Sequence, residues 1–192
     1  MTRSKRAFAL LLCLLSLALA LPALGEGMDW EEMMEKYRYE EYEDLYFQII
    51  GQCGEPGTPG FEAQPRAVQN LFVAMILDME IQNGGVAQFF WNCGAGHAAL
   101  VPGALREMGL EDVAELYERF LEAHQITLPE IDGYRTQFPD FIPLYAHHPF
   151  EDFDRAYMKL WEETNINSRI LDYAALHPET AKAPSLEEES HE

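Results

Sequence analysis

The sequence predicts an all-α fold: one compact multi-helix domain, of about six to seven helices, behind a cleaved signal peptide. Three observations carry this. Apolar residues recur at intervals of three and four over most of the chain. Glycine and proline gather between those segments rather than within them. No segment keeps the two-residue period of a half-buried strand, and no internal repeat is visible.

Residues 1–25 read as the signal peptide. Arg3, Lys5 and Arg6 make a basic start, Ala7 to Leu21 is an apolar run of 15 residues, and Ala23-Leu24-Gly25 places small residues before a cut after Gly25. Ala18-Leu19-Ala20 offers an alternative cut after Ala20. The run falls short of the roughly 20 apolar residues of a membrane span. Cys13 lies inside it, which does not fit a lipoprotein. The expected location is secreted or periplasmic, with no membrane association after cleavage.

Residues 26–53 form an acidic amphipathic N-terminal helix and its end. Trp30, Met33, Met34 and Tyr37, then Tyr42, Leu45, Tyr46, Ile49 and Ile50, fall on one helical face over 29–50. Residues 54–64 read as a Gly/Pro loop. The main helical domain spans 65–178. Its first helix starts at Pro65, is apolar on all sides from Leu71 to Leu77, and stops at Asn83-Gly84-Gly85. Val86 to Cys93 reads as an aromatic turn, and Gly94-Ala95-Gly96 as another break. Helices follow over about 97–108, with Pro102 near the first turn and Gly109 as cap, and over about 110–125. Residues 126–150, with four prolines and many aromatics, read as an ordered loop with one helical turn. Phe153, Ala156, Tyr157, Leu160 and Trp161 begin the last amphipathic stretch, kinked at Asn165 to Asn167 and closed by His177-Pro178. Residues 179–192 read as an acidic disordered tail.

Apolar residues make up 48% of the chain and aromatics 12%, enough to bury a core. The net charge of −20 becomes −23 once Arg3, Lys5 and Arg6 leave with the leader. Phosphate repels such a surface, so direct nucleic-acid binding is not expected; solubility or a basic partner is. Cys53 and Cys93 are a possible disulfide or two buried thiols.

No catalytic residue, metal site or cofactor is predicted. Asp78 and Glu80 adjoin a buried helix, where a desolvated carboxylate can act as acid or base. A structural role, with backbone donors or an arginine such as Arg66 or Arg106, is the commoner outcome. Cys93 and His97 are separated by two glycines, and His147-His148 precede Pro149 in a loop, so neither makes a metal site alone. The N-terminal helix instead carries rows of carboxylates: nine acidic residues between Glu26 and Tyr46 face only Lys36 and Arg38. Residues three and four apart lie about 5–6 Å from each other on a helix, comparable with phosphate spacing along a nucleic-acid strand. Glu31, Glu32, Glu35, Glu40, Glu41, Glu43 and Asp44 are therefore the candidate partner-binding face.

The stretch EIQNGGVAQFFWN (80–92) and the segments ALREMGLEDVAELYERF and FDRAYMKLWEETNINSRILDYAALHPE resemble the DNA-mimic protein C-terminal-domain family over about residues 66–179. Glu80, Asn83, Gly84, Gly85, Gln88, Phe89, Phe90 and Asn92 carry its signature, with Val86 where the family has an aromatic residue. Ala104, Leu105 and Gly109 fit its next helix. The resemblance implies a helical fold and a non-enzymatic acidic domain binding a protein with a basic surface; its typical member engages a transcription factor inside cells. The rival readings are an enzyme or small-ligand binder using a pocket around Glu80, Asn83, Gln88 and Asn92, and an immunity-type or structural module. The signature itself reads mainly as a corner, in which Gln88 and Asn92 satisfy the backbone that the glycines expose.

Overall fold

A computed structural model describes residues 34–181. The expected leader, Glu31, Glu32 and the tail from residue 182 lie outside them. Among the described residues the regular elements are all helical: α1 (Tyr39–Ile50), α2 (Pro59–Glu62), α3 (Arg66–Ala98), α4 (Val101–Glu107), α5 (Glu111–Ala123), α6 (Leu128–Gln137), a 3-10 helix (Ile142–Ala146), α7 (Phe150–Thr164), α8 (Ile166–Leu176) and a final 3-10 turn (Pro178–Ala181). No helix among them is long and apolar enough to cross a membrane.

The axis of the fold is α3. Its run Leu71 to Leu77 is apolar all round, and Leu71, Phe72, Val73, Ala74, Met75 and Leu77 are each buried. Around it pack α1, α4, α6, α7 and α8, while α5 closes the far side against α4 and α7. The second half of α3 feeds an aromatic core. Phe90 meets Tyr117 of α5 and Phe150 of α7, and Tyr117 meets Phe153, with ring centroids 5.9–6.2 Å apart in tilted or edge-on contacts.

Several elements differ from the sequence reading. The N-terminal helix is not continuous over 29–50: it breaks at Tyr37-Arg38, where Arg38 takes a left-handed conformation (φ 48°). Asn165 Nδ2 donates to Lys36 O at 3.1 Å and Asn167 Nδ2 to Tyr37 O at 3.2 Å, so the α7–α8 junction dictates this corner. The 54–64 loop contains α2, with Thr58 as N-cap and Pro59 at its start. Val86 to Cys93 is helix rather than turn. Gly84 and Gly85 depart from helical geometry, Gly85 at φ 82°, but the chain re-enters the helix at once and leaves it again at Gly94 (φ 68°). The helix expected over 97–108 begins at Val101, because α3 extends to Ala98.

The loop expected over 126–150 holds the ten-residue α6 and the 3-10 helix. Pro129 sits in the first turn of α6, where a proline costs no hydrogen bond, and Thr127 and Glu130 form a capping box. Proline content misled the reading because position, not number, decides its effect. The kink at Asn165 is present, with Asn165 left-handed and capping α8 through Ser168 N. The tail does not begin at 179: Pro178–Ala181 form a turn in which Thr180 is buried. Gln48 of α1 donates to Thr180 O at 2.7 Å and holds it there.

Candidate functional site: an acidic face and a double-glycine corner

Two regions were singled out by sequence, and the structure keeps them apart in role. On α1, Glu40, Glu41 and Asp44 are exposed, as is Glu35 just before it. Glu40 and Asp44 stand one turn apart on a single row. Glu43 is half-buried and already engaged. Arg38 reaches across the row: its Nη2 lies 2.6 Å from Glu41 Oε2 and its Nη1 3.2 Å from Asp172 Oδ1 of α8. The hydrogen bond from Arg38 holds the Glu41 carboxyl below its usual range. Acidity also extends beyond α1: Glu111, Asp112, Glu115 and Glu122 are exposed along α5.

The signature residues divide into three sets. Phe89, Phe90 and Val86 are core. Glu80, Gln88 and Asn92 form a polar cluster on one face of α3, where Gln88 Nε2 and Asn92 Nδ2 each donate to Glu80 Oε2 at 2.7 Å. The two amides therefore serve the carboxylate and not the exposed backbone expected of them. Asn83 is exposed and stands apart from that cluster. The glycines form the third set. A Cβ on Gly85 would overlap the Tyr145 hydroxyl and the Asp154 carboxylate, and one on Gly84 would overlap the Gln88 amide.

The backbone freed by the break is satisfied from a distance. Val86 N donates to Asp154 Oδ1 of α7 at 2.8 Å, so Asp154 caps the second half of α3. Tyr145 lies with its hydroxyl oxygen 3.0 Å from Gly84 O and 2.7 Å from Asp154 Oδ2. The break at Gly94 repeats the device, with Ala95 N donating to Asp132 Oδ1 of α6 at 2.9 Å. Neither aspartate was picked out by sequence reasoning. The signal available was indirect: after each glycine break a helix restarts with no Ser, Thr, Asp or Asn as local cap, so the acceptor must come from elsewhere.

Asp78 and Glu80 also part company. Asp78 is fully buried and paired with no arginine. Tyr42 Oη and Gln82 Nε2 donate to its Oδ2, and Tyr157 Oη to its Oδ1, each at 2.7 Å. Burial pushes its carboxyl pKa up, against the pull of these donors. Its three donors come from α1, α3 and α7, so it ties those helices together. Arg106, the other suggested partner, pairs with Glu118 instead.

Cys53 and Cys93 are free thiols, not a disulfide. Burial pushes Cys53 up to about 11 and Cys93 higher still, with Glu80 and Glu55 adding to the second shift. Both are protonated and unreactive near neutral pH. His97 is buried, with Nδ1 3.0 Å from Cys93 O, and burial holds its pKa below the ordinary imidazole value. His148 Nε2 lies 2.8 Å from Glu130 Oε1. No group of histidine, cysteine and carboxylate able to hold a metal ion occurs among the described residues.

A family model described as DMP19-like protein matches residues 62–177. This corrects the family drawn from the signature. The matching model is that of the DMP19-like proteins rather than a DNA-mimic protein C-terminal domain, and it starts inside α2 rather than in α3. No curated protein and no solved structure matches the chain.

Proposed function

Given that the chain belongs to the DMP19-like protein family, we propose that it is an exported, non-enzymatic domain that binds a basic protein surface through carboxylates. The observation that carries this is the exposure of Glu35, Glu40, Glu41 and Asp44 on and beside α1, in a chain of net charge −20. Rows of carboxylates on a rigid helix present negative charge at near-phosphate spacing, which suits a protein whose surface is built to meet DNA. Glu31 and Glu32, ahead of the described residues, add to the negative charge of this part of the sequence. Export through the N-terminal leader places that partner outside the cytosol.

An enzyme centred on Glu80 is the weaker reading, since its carboxylate already receives two side-chain amides. The test is binding of the mature chain to a Lys/Arg-rich helical peptide, by calorimetry over a salt series. Affinity should fall steeply with salt, because exposed charges are screened beyond about 8–10 Å near physiological ionic strength. It should drop further when Glu35, Glu40 and Asp44 are replaced by Gln. Salt-independent binding, or binding unchanged in that variant, overturns the proposal. Mass measurement of the exported chain's N-terminus tests cleavage after Gly25.

A further inference from the structure

The contacts at the double-glycine corner do not fit an ionised Asp154. Tyr145 has one hydroxyl proton and two acceptors within reach, Gly84 O at 3.0 Å and Asp154 Oδ2 at 2.7 Å. If Asp154 is a carboxylate, the proton serves only one of them, and the Tyr145 oxygen faces the other acceptor with no hydrogen between. If Asp154 carries a proton on Oδ2, every group is satisfied. Val86 N–H donates to Oδ1, Oδ2–H donates to the Tyr145 oxygen, and the Tyr145 O–H donates to Gly84 O. Asp78 makes the contrast: it meets three donors and no competing acceptor, the pattern of an ionised group.

We propose that Asp154 is a neutral, protonated cap that latches the 3-10 helix Ile142–Ala146 onto the corner of α3, and that its ionisation opens this latch. On ionisation the proton leaves to water, the Tyr145 O–H turns to the carboxylate, and Gly84 O loses its donor. The surroundings agree. Burial pushes the Asp154 carboxyl up, and Glu151, one turn earlier on α7, pushes it the same way, while the Val86 N–H and Tyr145 pull it down. Tyr145 is itself pushed up, by burial and then by Asp154, so its proton stays in place. Glu151 on α7 and Tyr145 on the 3-10 helix are the titratable groups that bear on Asp154. His148, just beyond that helix, is engaged by Glu130 of α6. Gly85 is required because a Cβ there would occupy the place of the latch.

The test is a pH titration of the mature chain followed by the Asp154 side-chain carbon resonance, with amide exchange at residues 144–146 of the latched 3-10 helix. The carboxyl should titrate above the ordinary aspartate value of about 3.9. Protection of those amides, corrected for intrinsic exchange, should fall across the same transition. Asp154→Asn copies the protonated pattern, its Oδ1 accepting from Val86 N and its Nδ2 donating to Tyr145. This variant should keep its protection as pH rises. A carboxyl titrating at or below about 3.9 in the unaltered chain overturns the proposal. So does an Asp154→Asn chain whose protection still falls with pH as in the parent, or is already lost in acid.

Discussion

Asp78 is the residue on which most of the fold's polar order converges. Replacing it with Ala strands two buried tyrosine hydroxyls and takes a partner from the half-buried Gln82 amide. The expected cost is about 3 kcal/mol, measurable by urea unfolding, because buried groups left without partners are expensive. Gly85 is the second sensitive position. Gly85→Ala forces a side chain into a left-handed conformation and onto Tyr145 and Asp154, and should cost about 2–4 kcal/mol. His97 gives a pH signature. Its folded pKa lies below the unfolded one, so the unfolded chain binds the extra proton first. Stability from this group is present at alkaline pH and is lost as pH falls through about 6.5. The melting temperature should therefore drop between about pH 7.5 and 5.5, with a smaller drop in His97→Gln.

Among the elements, α6 shows both what the sequence disclosed and what it hid. Thr127-Leu-Pro-Glu130 is a capping box in plain view, with proline in the first turn, yet a count of prolines over 126–150 favours a loop. Thr127→Ala should destabilise the protein by about 1 kcal/mol by removing the acceptor for Glu130 N, which differential scanning calorimetry would register. The amphipathic α5 and α7 were legible because Val113, Tyr117 and Phe120, and Phe153, Tyr157 and Trp161, repeat at helical spacing. The course of α3 was not. A double glycine ordinarily ends a helix, and only Asp154, sixty-eight residues on, supplies the acceptor that lets this one resume. The break at Tyr37-Arg38 was hidden for the same reason, since Asn165 and Asn167 impose it from the other end of the chain.

At the scale of the molecule, charge and pH act together. Asp78 and Asp154 have raised folded pKa values, so between the unfolded value and its own folded value each binds a proton that the unfolded chain has released. Their contribution is fully present below the unfolded value of about 3.9 and declines as pH rises through the folded values. This runs opposite to His97, so the stability profile should be flatter on the acid side than His97 alone dictates. The acidic exterior adds a salt response: screening of like charges on α1 and α5 should raise the melting temperature modestly between low and physiological ionic strength, by about 1–3 °C.

Tyr42 supplies one of the three donors to Asp78, and Gln48 holds the chain at Thr180, yet both belong to α1, ahead of the family match that starts at residue 62. The stretch that marks kinship and the stretch that folds are thus of different lengths. A chain trimmed to the shared region would open the Asp78 face of α3 to water and set the last turn loose. Kinship alone is a poor guide to where this protein can be cut, and limited proteolysis should leave α1 attached to the rest.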